Sequence, residues 1–504
     1  MNSWSRSEKA ARMADLPQAP AQLSKGAEAD LQVDIEAHSV AADASQQRVC
    51  IIGAGKAGLV ACKVLHERGI PFDCFETGSQ IGGLWVLNSD SGRSACYDSL
   101  CTNTSKLRTC FHDFPMPEHY PMFCTHKQIL EYLEAYTEHF GFREHITFRT
   151  EVVSILPSLK DVCTVITKDV ETGKVQERQY GSVIAACGHH WDPLWPDLKG
   201  EFKGTMIHAH SYRSPEPFEG RRVLIIGGGN SGMDIAAELA QSGAARILLS
   251  CRRRVHVVPR YTFGKPTDTR LKPWLGVTAP KGLLQLGATA VIRLSRGSQE
   301  RFNFPPPKAG LLRVHPTVEP GSGNILEMIR DGQVLARPGI QHVKGHTVHF
   351  VDGSKEEVDD IICATGYNVR CAFLPADCSV MENGKPELMH HIVHPKLPGV
   401  YFLGFIQAHG PMIPCFEAQM PYAADLIQGA IELPSEEEMR KQIAKQHELN
   451  RQSFAQIERL ALLVEFHRYL LQLRLARCPQ SKSWLGRRLW KTRTFMSFCA
   501  GNLC

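Results

Sequence analysis

The chain has no run of about 18 apolar residues, so no segment is expected to span a membrane. Its first residues, MNSWSRSEKAARMADL, lack the apolar stretch of a secretory signal. They are somewhat basic and rich in Ser and Ala, which also suits an organellar transit peptide. The plainer expectation is a loose extension, residues 1–47, on a cytoplasmic protein. Seventeen cysteines are scattered without one C-x-x-C pair, and no Cys/His cluster has zinc spacing. That argues for free thiols in a reducing compartment and for no bound metal. The net charge of +5 is modest and spread out, which does not suit nucleic acid. No unit of about 20–50 residues repeats. The terminal Cys504 does not complete a prenylation box.

What recurs is a larger unit: an apolar strand, a glycine turn and a helix. It appears as RVCIIGAGKAGLVACKVLHERG from Arg48 and as RRVLIIGGGNSGMDIAAELAQSG from Arg221. Apolar residues running into glycines suit a buried parallel strand, and the Ala/Leu spacing beyond suits a helix. In the first loop Gly53 permits the tight turn, Gly55 lets backbone approach a pyrophosphate, and Gly58 lets helix and strand pack closely. The helix N-terminus offers N–H groups to phosphate. The next strand, PFDCFE, ends on Glu76, where a carboxylate can accept from ribose hydroxyls. Just beyond lies GSQIGGLW, with Gly83, Leu84 and Trp85 placed to pass near a flavin or to make an ordinary turn.

The second loop carries Gly227, Gly229, Asn230, Ser231 and Gly232. Its next strand, ARILLSC, ends in Arg252, Arg253 and Arg254 rather than an acid. An acid repels a 2′-phosphate, whereas arginine pairs with it bidentately. The first site therefore suits FAD and the second NADPH.

A third signal is DDIICATGYN, Asp359 to Asn368, with a short strand before Thr365-Gly366. It is expected to return the chain to the first domain, after a hairpin around Asp352-Gly353. The fold class is α/β, with two Rossmann-like dinucleotide-binding domains, the FAD domain being split by the inserted NADPH domain. The expected spans are 48–212 and 336–433 for FAD, and 213–335 for NADPH. A helical, basic C-terminal extension fills 434–504, and the tail from Val464 carries roughly +7. That tail suits a peripheral membrane contact or a helix packed on the body. The apolar stretch Leu271–Leu294 suits a lid, an oligomer contact such as a homodimer's, or a packed helical pair.

Between the loops, FKGTMIHAHSYR fits F-x-G-x-x-x-H-x-x-x-Y through Phe202, Gly204, His208 and Tyr212. This resembles the fingerprint of class B flavoprotein monooxygenases. Arg213 after Tyr212 resembles the flavin-containing monooxygenase version; Baeyer–Villiger members usually carry Trp and then Pro or Asp. GAGKAG, GGLW, TNTSK…FHDFP, GGGNSG and ATGY extend the resemblance over roughly Val49 to Leu433. HPTVEPG and VYFLGFIQAHG look like the microbial and lower-eukaryote branches. Lys56 departs from the Pro or Ser common in the family.

The resemblance implies an enzyme in which NADPH reduces FAD and dioxygen adds at flavin C4a. The resulting hydroperoxide oxygenates a small-molecule amine or sulfide. It implies that Asn103 donates to the flavin-bound oxygen, and that His208 positions rather than abstracts a proton. Thr365 and Gly366 fall beside the flavin. Three alternatives stay open: a Baeyer–Villiger enzyme, an uncoupled NADPH oxidase, and a disulfide reductase using Cys96 and Cys101.

Overall fold

Val49–Ile52 (β1) is apolar and buried at every position, as the sequence requires of a central parallel strand. The computed structural model describes residues 48–157, 162–455, 461–478 and 484–500. The expected extension 1–47 and Cys504 lie outside the described residues.

After β1 the chain turns through the glycines into Lys56–Glu67 (α1) and returns as Phe72–Phe75 (β2). Ile146–Thr147 (β3) and Ser182–Ala185 (β4) follow. The chain then leaves through Asp192–Pro193 (β5) and enters a second unit at Thr205–His208 (β6). Arg222–Ile226 (β7), Asn230–Gln241 (α2) and Arg246–Ser250 (β8) repeat the strand–glycine–helix–strand pattern. Val334–Arg337 (β9) and Asp360–Cys363 (β10) come later in the same unit. The return runs through Tyr367–Asn368 (β11) to Val400–Phe402 (β12).

The first sheet is ordered β12-β4-β1-β2-β3 and the second β6-β10-β7-β8-β9. All neighbouring pairs in both are parallel. Parallel strands need crossovers, and α1 and α2 supply them. The hairpin expected at Asp352-Gly353 forms, pairing Thr347–Phe350 with Lys355–Glu357.

One expectation fails. β10 does not return to the first sheet; it sits inside the second, between β6 and β7. Both β6 and β10 therefore lie beyond the 213–335 span expected for that unit. The cause is a set of contacts distant in sequence. Arg221 grips the buried Asp360 with two guanidinium nitrogens, and Arg222 grips Asp359 at 2.7 Å. Removing Arg221 strands a buried carboxylate, at a cost of about 3–5 kcal/mol. The strand that does return is β12.

β5 and β11, the two crossings between units, pair antiparallel as a ribbon. Leu194 N–H donates to Gly366 O at 2.9 Å, and Arg370 pairs with Asp192 at 2.7 Å.

Ile413–Ile427 (α3) packs on α1, and Phe466–Ala476 (α4) packs on α3, with Phe466, Tyr469, Leu470 and Leu473 in the first core. Trp484–Cys499 (α5) follows on α4. The stretch Leu271–Leu294 falls largely in helices Pro273–Thr278 and Lys281–Arg296; the second lies on the surface, with no buried residue. No helix among the described residues is long and apolar enough to cross a membrane.

Candidate active site

The first loop is built by the absence of side chains. Gly53 has φ +101°, and a Cβ on it would stand 2.9 Å from Ala186 O. A Cβ on Gly58 would stand 1.9 Å from Gly53 O, so α1 begins against the end of β1. Gly55 caps α1 without a side chain, leaving first-turn N–H groups for an anion. Gly83 comes beside this loop, since its Cβ would lie 3.2 Å from Gly55 Cα. Leu84 and Trp85 continue the same turn.

Glu76 directly follows β2, and Ala54 N–H and Gly78 N–H each donate to its carboxylate at 2.8 Å. Lys56 lies over the Trp85 ring at 4.1 Å, and burial pushes its ammonium down to about 7. A glycine cradle, an uncapped helix start and an acid at the strand end fit the pyrophosphate and ribose of FAD.

The second loop repeats the construction. A Cβ on Gly232 would stand 1.9 Å from Gly227 O, and one on Gly227 would stand 2.3 Å from Ala364 O. Gly229 caps α2 without a side chain, and Asn230 and Ser231 open the helix. Asn230 Oδ1 is engaged by Val318 N–H at 2.9 Å, so this side chain braces the loop. Arg252 and Arg253 are exposed beyond the end of β8. This donor set fits a 2′-phosphorylated dinucleotide.

The fingerprint divides into architecture and coupling. Phe202 folds its ring over Gly204, where a Cβ would meet Phe202 Cζ at 2.6 Å and Asp359 O at 2.2 Å. These two residues set the entry to β6. His208 ends β6 opposite Cys363, close to Ala364, Thr365 and Gly366. The second-loop glycines, His208 and the Thr365-Gly366 turn thus share the C-terminal edge of one parallel sheet, where ligands bind in such folds.

His208 Nδ1 accepts from His210 N–H at 3.1 Å, which leaves the ring proton on Nε2. Burial, with His210 beside it, pushes His208 down to about 4. The neutral ring has no spare lone pair for proton abstraction. Tyr212 is fully buried and donates to Glu238 of α2 at 2.8 Å. Arg213 donates to Ser94 O at 3.3 Å, tying the segment to the first unit.

Asn103 is half-buried at a bend, and its amide makes no hydrogen bond among the described residues. Its flanks are pinned by the second unit. Arg260 donates to Thr102 O at 3.2 Å, and Asp268 Oδ2 accepts from Ser105 N–H at 2.7 Å and Ser105 Oγ–H at 3.0 Å. Sequence reasoning missed Arg260, Asp268 and Glu238, because no spacing signals a contact between units. The two cysteines of the dithiol alternative are engaged separately. Cys96 donates to Tyr97 O, and Cys101 accepts from Arg260 at 3.2 Å, so the two thiols have different partners.

Comparison with known proteins agrees with this construction. The flavin-binding monooxygenase-like family model matches residues 46–482. Human flavin-containing monooxygenase 5 is 34% identical over 422 residues, spanning 80% of this chain and 78% of its own. Dimethylaniline monooxygenase (N-oxide-forming) 2 of Macaca mulatta is 31% identical over 448 residues, spanning 85% and 82%. The solved S-allyl-L-cysteine S-oxygenase of Allium sativum superposes with a TM-score of 0.64 at 24% identity, over 89% of this chain and 92% of its own. That last likeness bears on the fold. The chain belongs to the flavin-binding monooxygenase-like family. It is a flavoprotein monooxygenase that uses FAD, NADPH and dioxygen on a small-molecule substrate.

Proposed function

We propose that the substrate atom is a soft nucleophile, an amine nitrogen or a sulfide sulfur. The observation that carries this reading is the Asn103 amide, half-buried, without a partner among the described residues, and held from both sides by Arg260 and Asp268. Bound FAD supplies hydride acceptance from NADPH and activation of dioxygen.

The chain's own task is placement. A neutral amide donates a hydrogen bond without delivering a strong proton, so Asn103 steadies oxygen without releasing it as peroxide. The first loop and Glu76 hold FAD; Thr365 and Gly366, expected beside the flavin, instead share the edge of the second sheet with the second-loop glycines. The second loop, Arg252 and Arg253 hold NADPH. His208, neutral and fixed in one tautomer, positions the nicotinamide. Tyr212 links that placement to α2 through Glu238. Orientation dominates a hydride step, which is why the fingerprint joins the units. The N-oxide-forming relative supports the nitrogen reading.

The test offers a tertiary amine, a thioether and a ketone side by side, with product measured against NADPH consumed. N- or S-oxide matching consumption is expected. Ester from the ketone alone, with amine and thioether unchanged, overturns the reading in favour of Baeyer–Villiger chemistry.

We also propose that α5 touches a membrane surface. Leu489 and Met496 are exposed on it, in a helix that also exposes Arg487, Arg488, Lys491 and Arg493 and has no acid. Binding to anionic vesicles that salt reverses supports this; equal recovery with and without vesicles refutes it.

A further inference from the structure

We propose that Cys187 and Cys371 form a peroxide-responsive dithiol at the hinge between the two units. Their Sγ atoms lie 3.8 Å apart, in hydrogen-bond contact, although 184 residues separate them in sequence. Cys187 leaves the end of β4, and its Cα lies 3.3 Å from where a Cβ on Gly53 would stand. It is thus packed against the loop that fits the FAD pyrophosphate. Cys371 follows β11. The pair therefore joins the outgoing crossing to the returning one, beside the ribbon of β5 and β11.

Several observations make this pair reactive rather than inert. Cys187 is half-buried, whereas Cys371 is buried. Among the described cysteines whose acidity is displaced, Cys187 alone moves down. The Cys371 thiol hydrogen-bonded to it favours its thiolate, burial opposes, and Arg93 assists. Burial and the same pairing push Cys371 up, so it stays a thiol. A thiol pushed toward its thiolate beside one held protonated, with a cation near, is the arrangement of an attacking and a resolving cysteine.

The chemistry balances with hydrogen peroxide as oxidant. Cys187 thiolate attacks one peroxide oxygen and the O–O bond breaks, giving sulfenic acid and hydroxide. The Cys371 sulfur then attacks the Cys187 sulfur, its proton leaves with the sulfenic oxygen as water, and an S–S bond forms. Two electrons leave the pair and reduce one peroxide. Bond formation closes the 3.8 Å gap to about 2.05 Å. The bond clamps the ribbon at its first-unit end, and a reducing thiol reverses it. The proposal does not depend on whether nitrogen or sulfur is oxygenated.

The test uses the FAD-loaded enzyme without NADPH, titrated with hydrogen peroxide, alkylated and mapped by mass spectrometry under non-reducing conditions. A peptide linking Cys187 to Cys371, with loss of two alkylatable thiols and recovery by dithiothreitol, is expected. In Cys371→Ser, dimedone should instead label Cys187, with no linked peptide. The proposal is overturned if Cys187 remains alkylatable at doses that oxidise Cys478 or Cys499, or if it pairs elsewhere. Retained FAD in Cys371→Ser shows that the variant is folded.

Discussion

Tyr97, from the segment that follows the first sheet's β2, donates its phenol O–H to Asp234 Oδ2 of α2 at 2.8 Å. Its ring lies in the core of the second unit, edge-on to Tyr212 at 5.9 Å. One helix of the second unit is thus held by two tyrosines, one reaching from the first unit and one from the fingerprint segment. Tyr97→Phe should lower stability by about 1–3 kcal/mol, because the Asp234 carboxylate loses its donor. Tyr97→Phe/Asp234→Asn should lose less than the two single changes added together. Denaturant unfolding of the four proteins in the cycle checks this; strict additivity would show that the contact carries no coupling.

Asn103→Ala should keep its FAD and go on consuming NADPH, but release hydrogen peroxide in place of oxygenated product. Asp268→Ala should move the ratio the same way, more weakly, because it frees the loop that carries Asn103. Peroxide and product are measured together. Product at the parental ratio in Asn103→Ala would remove its assigned role.

Neutral residues at both Arg252 and Arg253 should reduce the preference for NADPH over NADH by about ten- to a hundred-fold. The loss belongs in the NADPH KM, since NADH has no phosphate for these side chains to meet. An unchanged preference in steady-state kinetics would place the phosphate elsewhere.

Acid should destabilise the protein well above the carboxylate range. Burial pushes His208, His391 and His467 each down to about 4 from an ordinary 6.5. The unfolded chain therefore binds more protons between these values, and stability falls as pH drops through that window. Asp234 opposes this trend. Burial pushes it up to about 6 from 3.8, so its contribution is lost as pH rises through about 6. Urea midpoints from pH 7 down to 5 should fall, with net proton uptake on unfolding. Asp234→Asn should make the fall steeper, because the opposing group no longer titrates. A flat profile would contradict the burial of these histidines.

The parts of the site legible in sequence are local. Gly53, Gly55 and Gly58, Glu76 a strand later, and Arg252 after the second strand all follow from spacing along a strand–turn–helix unit. His208 and Tyr212 were legible only as a pattern, and the structure divides their work. The placement of β10 was illegible, since four apolar residues name no sheet; Arg221 and Arg222 decide it from more than a hundred residues away. Arg260, Asp268 and Tyr97 were hidden for the same reason. Each looks like an ordinary polar residue until the units meet.

The position of β12 bears on how the chain reaches its native state. Its partner β4 lies roughly 200 residues earlier, so the first sheet holds a gap at its edge until synthesis has passed residue 402. During synthesis the exposed flank of β4 waits, a ready template for wrong pairing. The intervening unit, built mostly from its own contacts, can settle first and carry residues 400–402 back into reach. Refolding from denaturant should therefore show a slow phase in which the first sheet completes after the second, and FAD, which fits beside that sheet, should be captured last.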